Sequence, residues 1–213
     1  METQRHRRLD RINTLPENII EHILTLMPIQ DALRTSVLSK KWRYSWRSMP
    51  KLVFTDDMVK VTSSRHGWKE LKKYKLVNAI FHVLLFHNGP TILEFDCSVG
   101  ELQMVSECDQ IIGYISRGNT VKELKFVSCD LYYKLPITFF SWQGLEDIHL
   151  TKCKFQPPLT FNGFSRLRSI VLDDVEVSAK ILQAIFSNSP LLEEVFLDED
   201  FGYLKVLYEV LVC

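Results

Sequence analysis

The chain has 213 residues, 46% hydrophobic and 24% charged, with a formal net charge of zero. That is an ordinary globular composition, long enough for one good core or for a small module joined to a larger one. The longest apolar stretch, Ala79–Phe86, is interrupted by His82 and falls well short of the roughly 20 residues a membrane-spanning helix needs.

Residues 1–11 are too polar for a secretory signal. The five cysteines (Cys97, Cys108, Cys129, Cys153 and Cys213) form no CxxC pair, and the six histidines are scattered. Reduced thiols in a cytoplasmic or nuclear protein are therefore expected, with no metal centre, no cofactor and no membrane partner. No GxSxG, phosphate-loop or HExxH motif is present, so no catalytic residue is assigned and the chain is not read as an enzyme. The charge is unevenly placed. Residues 1–51 carry ten Lys/Arg against five Asp/Glu, and the remainder carries the compensating acidic excess. A basic head on an acidic body points to an acidic partner or to nucleic acid for the head.

Residues 1–8 read as a basic tail. The first helix starts at Asn13-Thr14-Leu15-Pro16-Glu17, with Pro16 at the first helical position or, alternatively, Thr14 and Glu17 as a capping box. It runs to about Met27, before Pro28, and Ile19, Ile20, Ile23, Leu24 and Met27 share one face. A second helix is expected over Asp31–Leu38 and a third over Lys40–Ser48, capped by Ser39, with Trp42 and Trp46 one turn apart. Such short helices offer more apolar surface than they can cover among themselves, so a partner or the neighbouring domain must cover it.

The strings Leu15-Pro16-Glu17-Asn18-Ile19-Ile20-Glu21-His22-Ile23-Leu24, Met27-Pro28-Ile29-Gln30-Asp31-Ala32 and Thr35-Ser36-Val37-Leu38-Ser39-Lys40-Lys41-Trp42-Arg43, with Trp46, resemble an F-box of the plant type over residues 9–50. The resemblance implies docking on a Skp-type adaptor and, through it, on cullin and RING subunits of a ubiquitin ligase. It puts Leu15, Pro16, Ile19, Ile23, Leu24, Val37, Leu38 and Trp42 in or behind the adaptor contact. Apolar anchors at helical spacing would fill pockets while basic residues meet an acidic rim.

Residues 51–67 read as a linker. One amphipathic helix covers Trp68–Phe86 through Leu71, Tyr74, Val77, Ile80, Phe81, Leu84 and Leu85, and Asn88-Gly89-Pro90 ends it. Residues 92–95 alternate like a strand, and a helix follows from Ser106 with Ile111, Ile112 and Ile115 on one side.

A frame LxxLxLxxC then recurs from Val121, Leu145, Leu167 and Leu192, at the ~20–29-residue period of leucine-rich repeats. Leu124 with Phe126, Ile148 with Leu150, Ile170 with Leu172 and Val195 with Leu197 should stack inward. Lys125, His149, Val171 and Phe196 should point outward, where a target protein would meet them. Cys129 and Cys153 take an inward turn position as packing groups. Ser178–Ser187 reads as a helix, while Gln156-Pro157-Pro158 requires a coil return.

Residues 70–198 resemble the irregular repeats of plant F-box proteins that often carry an FBD domain. The resemblance rests on His87-Asn88-Gly89-Pro90, Ile115-Ser116-Arg117, Tyr133-Lys134-Leu135-Pro136 and residues 155–164. The expected fold class is α/β: an N-terminal three-helix F-box, then a short irregular leucine-rich-repeat solenoid over 68–200, with parallel strands and helical or coil returns. Residues 201–213 show no polar cap and are expected to fold back over the last unit or to mark a shortened product without the FBD domain. The function expected is recruitment of a target protein to a Skp-cullin-F-box ligase. The alternatives are a truncated adaptor-binding decoy without a target site and, behind it, a helical DNA-binding module built on Lys40–Arg47.

Overall fold

The computed structural model describes residues 11–60, 67–99, 104–128, 133–198 and 204–207. In the head, α1 (Glu17–Thr25) begins directly after Pro16, whose ψ of 152° leads extended chain into the helix. Pro16 is thus the residue before the helix rather than its first position. The Thr14 hydroxyl donates to the Arg11 carbonyl at 2.9 Å, so it does not cap α1. The second helix, α2 (Ile29–Arg34), likewise starts directly after its proline, earlier than expected, and tightens into a 3-10 turn over Thr35–Val37.

The expected third helix does not form as one. A run of turns leads into a 3-10 segment, Ser45–Ser48. The Ser45 hydroxyl donates to the Lys41 carbonyl at 2.8 Å and the Ser48 hydroxyl to the Ser45 carbonyl at 3.1 Å, local bonds that compete with the helical ladder. Ser39, expected to cap that helix, closes a turn instead, its hydroxyl accepting from the Trp42 backbone N–H at 3.4 Å. Trp42 and Trp46 both turn inward.

The body is built on a sheet ordered β1 (Lys51–Thr55), β2 (Glu94–Ser98), β3 (Glu123–Val127), β5 (Asp147–Thr151), β7 (Ser169–Asp173), β8 (Glu194–Asp198) and β9 (Leu204–Leu207). All neighbours are parallel except β8 and β9. A carbonyl ahead of each strand accepts two N–H groups from the start of the next. Pro50 takes Leu93 and Glu94, Leu93 takes Lys122 and Glu123, Lys122 takes Glu146 and Asp147, Glu146 takes Arg168 and Ser169, and Arg168 takes Glu193 and Glu194. This shared device shows that β1 and β2 are units of the same array. Residues 51–55, inside the segment read as a linker, are therefore a full strand with Leu52 and Phe54 buried.

The inward ladders fall as the repeat frame requires. Register pairs Leu124, Ile148, Ile170 and Val195 across the sheet, and Phe126, Leu150, Leu172 and Leu197 beside them. All are buried except Leu197, which is partly so. Helices and coil close over them: α3 (Trp68–Phe86), α4 (Val105–Gly118), the single turn α5 (Ile137–Phe140) and α6 (Ala179–Asn188). In α3 the inward stripe is Leu76, Ile80, Val83 and Leu84; Leu71, Tyr74 and Leu85, read as part of it, are exposed. The expected stripe is rotated slightly from the one that meets the sheet. Ser178 caps α6, its hydroxyl accepting from the Ile181 N–H at 3.4 Å.

The coil return at residues 156–158 has no helix, and aromatic packing fills its place. Phe139, Phe140, Phe155, Phe161 and Phe164 contact one another edge to face at centroid distances of 5.0–6.2 Å, the arrangement ring quadrupoles favour. Beside it β4 (Tyr133–Lys134) and β6 (Cys153–Lys154) make a two-stranded ribbon. Cys153 is fully buried there; Cys129, read the same way, lies outside the described residues. At the far end β9 pairs antiparallel with β8, giving that edge a partner; the rest of 201–213 lies outside the described residues.

Head and body share one core. Ile20, Leu24, Ala32, Trp46 and Met49 belong to the same buried cluster as Leu52, Leu76 and Phe95. The Arg47 carbonyl accepts from both Asn88 and Gly89 N–H groups at 3.0 Å. His87 Nε2 lies 2.9 Å from the Met49 carbonyl, and Trp46 stacks on His82. Part of the surplus apolar surface of the head is therefore covered by the array itself, the neighbouring-domain alternative of the two expected. A Cβ at Gly89 would sit 2.9 Å from Ser48 Cα and 3.0 Å from its carbonyl oxygen, and backbone cannot yield cheaply. Gly89→Ala should cost about 1–3 kcal/mol, read as a Tm lowered by roughly 2–4 °C per kcal/mol.

Two candidate interaction faces

The first face lies on the head. Of the eight residues expected there, Val37 is 87% exposed, Leu38 49% and Ile19 40%, and Pro16 is also exposed. Leu15 and Ile23 are half-buried and pack against the core. Leu24 and Trp42, by contrast, are buried at 0% and 4% exposure. They are core residues, and the reading that placed them in the contact is corrected to one of support. Trp42 shows how. Its indole N–H donates to the Ile12 carbonyl at 3.3 Å, and the neighbouring Lys41 ammonium donates to the Leu15 carbonyl. These bonds hold the chain after Val37 and Leu38 against the start of α1.

Arg34, Lys40, Lys41 and Arg43 are exposed on this same head. Sequence reasoning missed Ile12, 46% exposed, and Leu26, 75% exposed; neither falls on the apolar stripe of α1. The segment from Lys40 to Arg47, read alternatively as a DNA-recognition helix, is not an α-helix, and both of its tryptophans are buried.

The second face is the side of the sheet turned away from the helices. Strand alternation puts residues of equal register in rows across it, about 4.8 Å apart from strand to strand. One row runs Val53, Asp96, Lys125, His149, Val171, Phe196. The structure thus brings together all four residues expected to face outward. Lys125 is exposed, and His149, Val171 and Phe196 are half-buried. Burial first, then the Lys125 ammonium, depresses the His149 pKa.

The adjacent row escaped the sequence reading: Lys51, Glu94, Glu123, Asp147, Ser169, Glu194. Its signal was available, since an acidic residue stands directly before the second apolar position in most units. Burial foremost, and then carboxylates including Glu94 and Asp147, raise the Glu123 pKa; burial, then Glu146, raise that of Asp147. Together the two rows line a groove of about 470 Å³.

Burial pushes the Cys97 and Cys153 thiols up to about 12, leaving both as neutral packing groups. Among the described residues there is no group of three or more His, Cys, Asp or Glu placed to hold a metal ion, and no helix long and apolar enough to cross a membrane.

Comparison with known proteins agrees with this division. Residues 12–54 match the F-box domain, and residues 115–212 match the LRR repeats of the FBD-associated F-box protein At5g56370. The chain is similar to the F-box/FBD/LRR-repeat protein At1g13570 of Arabidopsis thaliana, with 39% identity over 86% of this chain and 43% of that protein. It is similar also to the F-box protein At5g03100, 30% identical over 89% of this chain and 56% of that protein. The putative FBD-associated F-box protein At3g50710 is 27% identical over 93% and 46% respectively; both are from Arabidopsis thaliana. The chain spans about half the length of the curated relatives it matches. No solved structure matches it.

Proposed function

Because the chain belongs to the plant F-box proteins with leucine-rich repeats of the FBD-associated type, we propose that it is a target-recruiting subunit of a Skp-cullin-F-box ubiquitin ligase, working in the cytoplasm or nucleus. The observation that carries this reading is the two-sided head. One side is spent on the array, whereas Pro16, Ile19, Val37 and Leu38 keep apolar side chains in solvent. Val37 at 87% exposure gains nothing in the isolated chain, and burial against a Skp-type adaptor would remove it from water. The exposed cations of the head suit an acidic rim around that contact.

The division of labour then follows. The strand face presents a target, and the shared core carries it at a fixed position relative to the adaptor. Ubiquitin transfer belongs to the cullin-bound machinery, so this chain supplies position rather than chemistry. The grooved strand face favours a competent receptor over a decoy without a target site. Affinity purification with proteasome inhibition tests the reading. Skp-type adaptor and cullin should co-purify, and at least one ubiquitylated protein should accumulate with them. Recovery of the adaptor with no ubiquitylated protein would favour the decoy instead.

A further inference from the structure

The strand face is chemically lopsided in a way that folding alone does not account for. Glu94, Glu123 and Asp147 stand directly opposite one another on β2, β3 and β5. Like charges in that relation destabilise a sheet. Elsewhere around this edge the acids have partners: Lys51 pairs with Glu94, Lys122 with Glu146 at 2.8 Å and Arg168 with Glu193 at 3.0 Å. Lys125 leans the other way, 4.0 Å from Asp96. Glu123 and Asp147, in the middle of the row, make no side-chain hydrogen bond or ion pair among the described residues. The nearby cations Lys51 and Arg168 pair directly with Glu94 and Glu193 and offset only part of the repulsion on Glu123 and Asp147.

Beyond Asp147 the face changes character. Val171 and Phe196 are register partners on β7 and β8, both half-buried on the outer side. Asp147 and Phe196 are two strands and two residues apart in register, about 12 Å from strand geometry, which is about three to four residues of extended peptide. The groove between them reaches from Lys51 to Val171.

Resting on the reading that this face carries the target, we propose that the target is a protein bearing an extended basic segment. Its Lys or Arg side chains lie against Glu123 and Asp147, and an apolar side chain three to four residues away covers Val171 and Phe196. The occupant is a protein segment rather than a lone cation, because the acidic row and the apolar pair lie too far apart for one small ion to use both. The cations of the target cancel a repulsion that the isolated chain sustains; the carboxyl pKa values of Glu123 and Asp147 are raised first by burial and then by the neighbouring carboxylates. This is the trade of stability for function found at binding sites.

The test uses the full chain and a fluorescein-labelled peptide with two arginines separated by one residue, so that both face the same side of an extended segment, and a leucine four positions on. Controls replace the arginines by glutamates or the leucine by serine. The basic peptide should bind, weaken with added salt, and lose at least about tenfold in affinity with either control. The pair Glu123→Gln, Asp147→Asn should lose binding to the same extent while its Tm stays unchanged or rises; a merely structural role for these carboxylates predicts a fall. The variant should also hold its Skp-type adaptor as before, so that failure here and failure of the adaptor assignment are read separately. Equal binding of acidic and basic peptides would overturn the proposal. So would spermine displacing the peptide with no contribution from the leucine, or salt-sensitive self-association lost with the same two substitutions, which would make the occupant the basic head of a second copy.

Discussion

Val37→Asp combined with Leu38→Asp is expected to abolish capture of a Skp-type adaptor while the melting curve stays that of the unmodified chain. Both side chains are exposed and belong to no part of the core cluster, so placing charge there costs the fold little. At an interface the same change buries two unpaired carboxylates. Central apolar anchors typically cost 2 kcal/mol or more on truncation, and a buried charge without a partner costs more. The loss should therefore exceed about thirtyfold in Kd, measured by titration calorimetry. Trp42→Ala is the informative contrast. Trp42 is 4% exposed and fastened to the Ile12 carbonyl, so its loss should lower Tm and adaptor binding together. Uncoupling of the two effects at Val37 and Leu38, and their coupling at Trp42, distinguishes contact from support.

Leu150→Asp should unfold the chain. Leu150 is fully buried, between Phe126 and Leu172 in the ladder. A carboxylate there has no cation within the core cluster to pair with, and the aspartate can neither reach solvent nor keep the packing. A cost above about 4 kcal/mol is expected, a large share of the stability of a domain this size. Because head and body share a core, the cooperative melting transition should be lost and adaptor binding with it, although Leu150 is nowhere near the head. Leu150→Met, similar in volume, should cost less than about 1.5 kcal/mol. Circular dichroism of both variants checks the register. Native-like melting of the aspartate variant would place Leu150 outside the ladder.

Much of this architecture was legible because burial and chemistry coincide in the repeat strands. Leu124-Lys125-Phe126 and Ile148-His149-Leu150 state their own alternation, and the structure follows it. The first unit was hidden. Leu52 and Phe54 have the same alternation, but the segment follows Pro50 without an upstream leucine to complete the frame, so its kinship shows in the hydrogen bonds that the Pro50 carbonyl accepts and in the parallel pairing with β2. The head was harder for a different reason. Apolar spacing shows that Leu24 and Val37 each lie on an apolar face, but not whether that face meets the body or the solvent. The distinction arises from packing across residues far apart in sequence, as in the contact of Trp46 with His82. Tryptophans at i and i+4 likewise suited a helix equally with the turns that formed, and the local bonds of Ser45 and Ser48 compete with the helical ladder there. The acidic row needed the units aligned strand against strand, after which Glu94, Glu123 and Asp147 fall into one line.

The central claim is that the exposed apolar side of the head is completed by a second polypeptide. Hydrogen exchange of the full chain with and without a purified Skp-type adaptor tests it most directly. A one-to-one complex should form, and protection should concentrate in peptides spanning residues 12–23 and 35–42, with the strand face exchanging as before. A chain that forms no complex with any Skp-type adaptor, or one whose protection appears on the strand face while residues 35–42 exchange unchanged, would contradict the account.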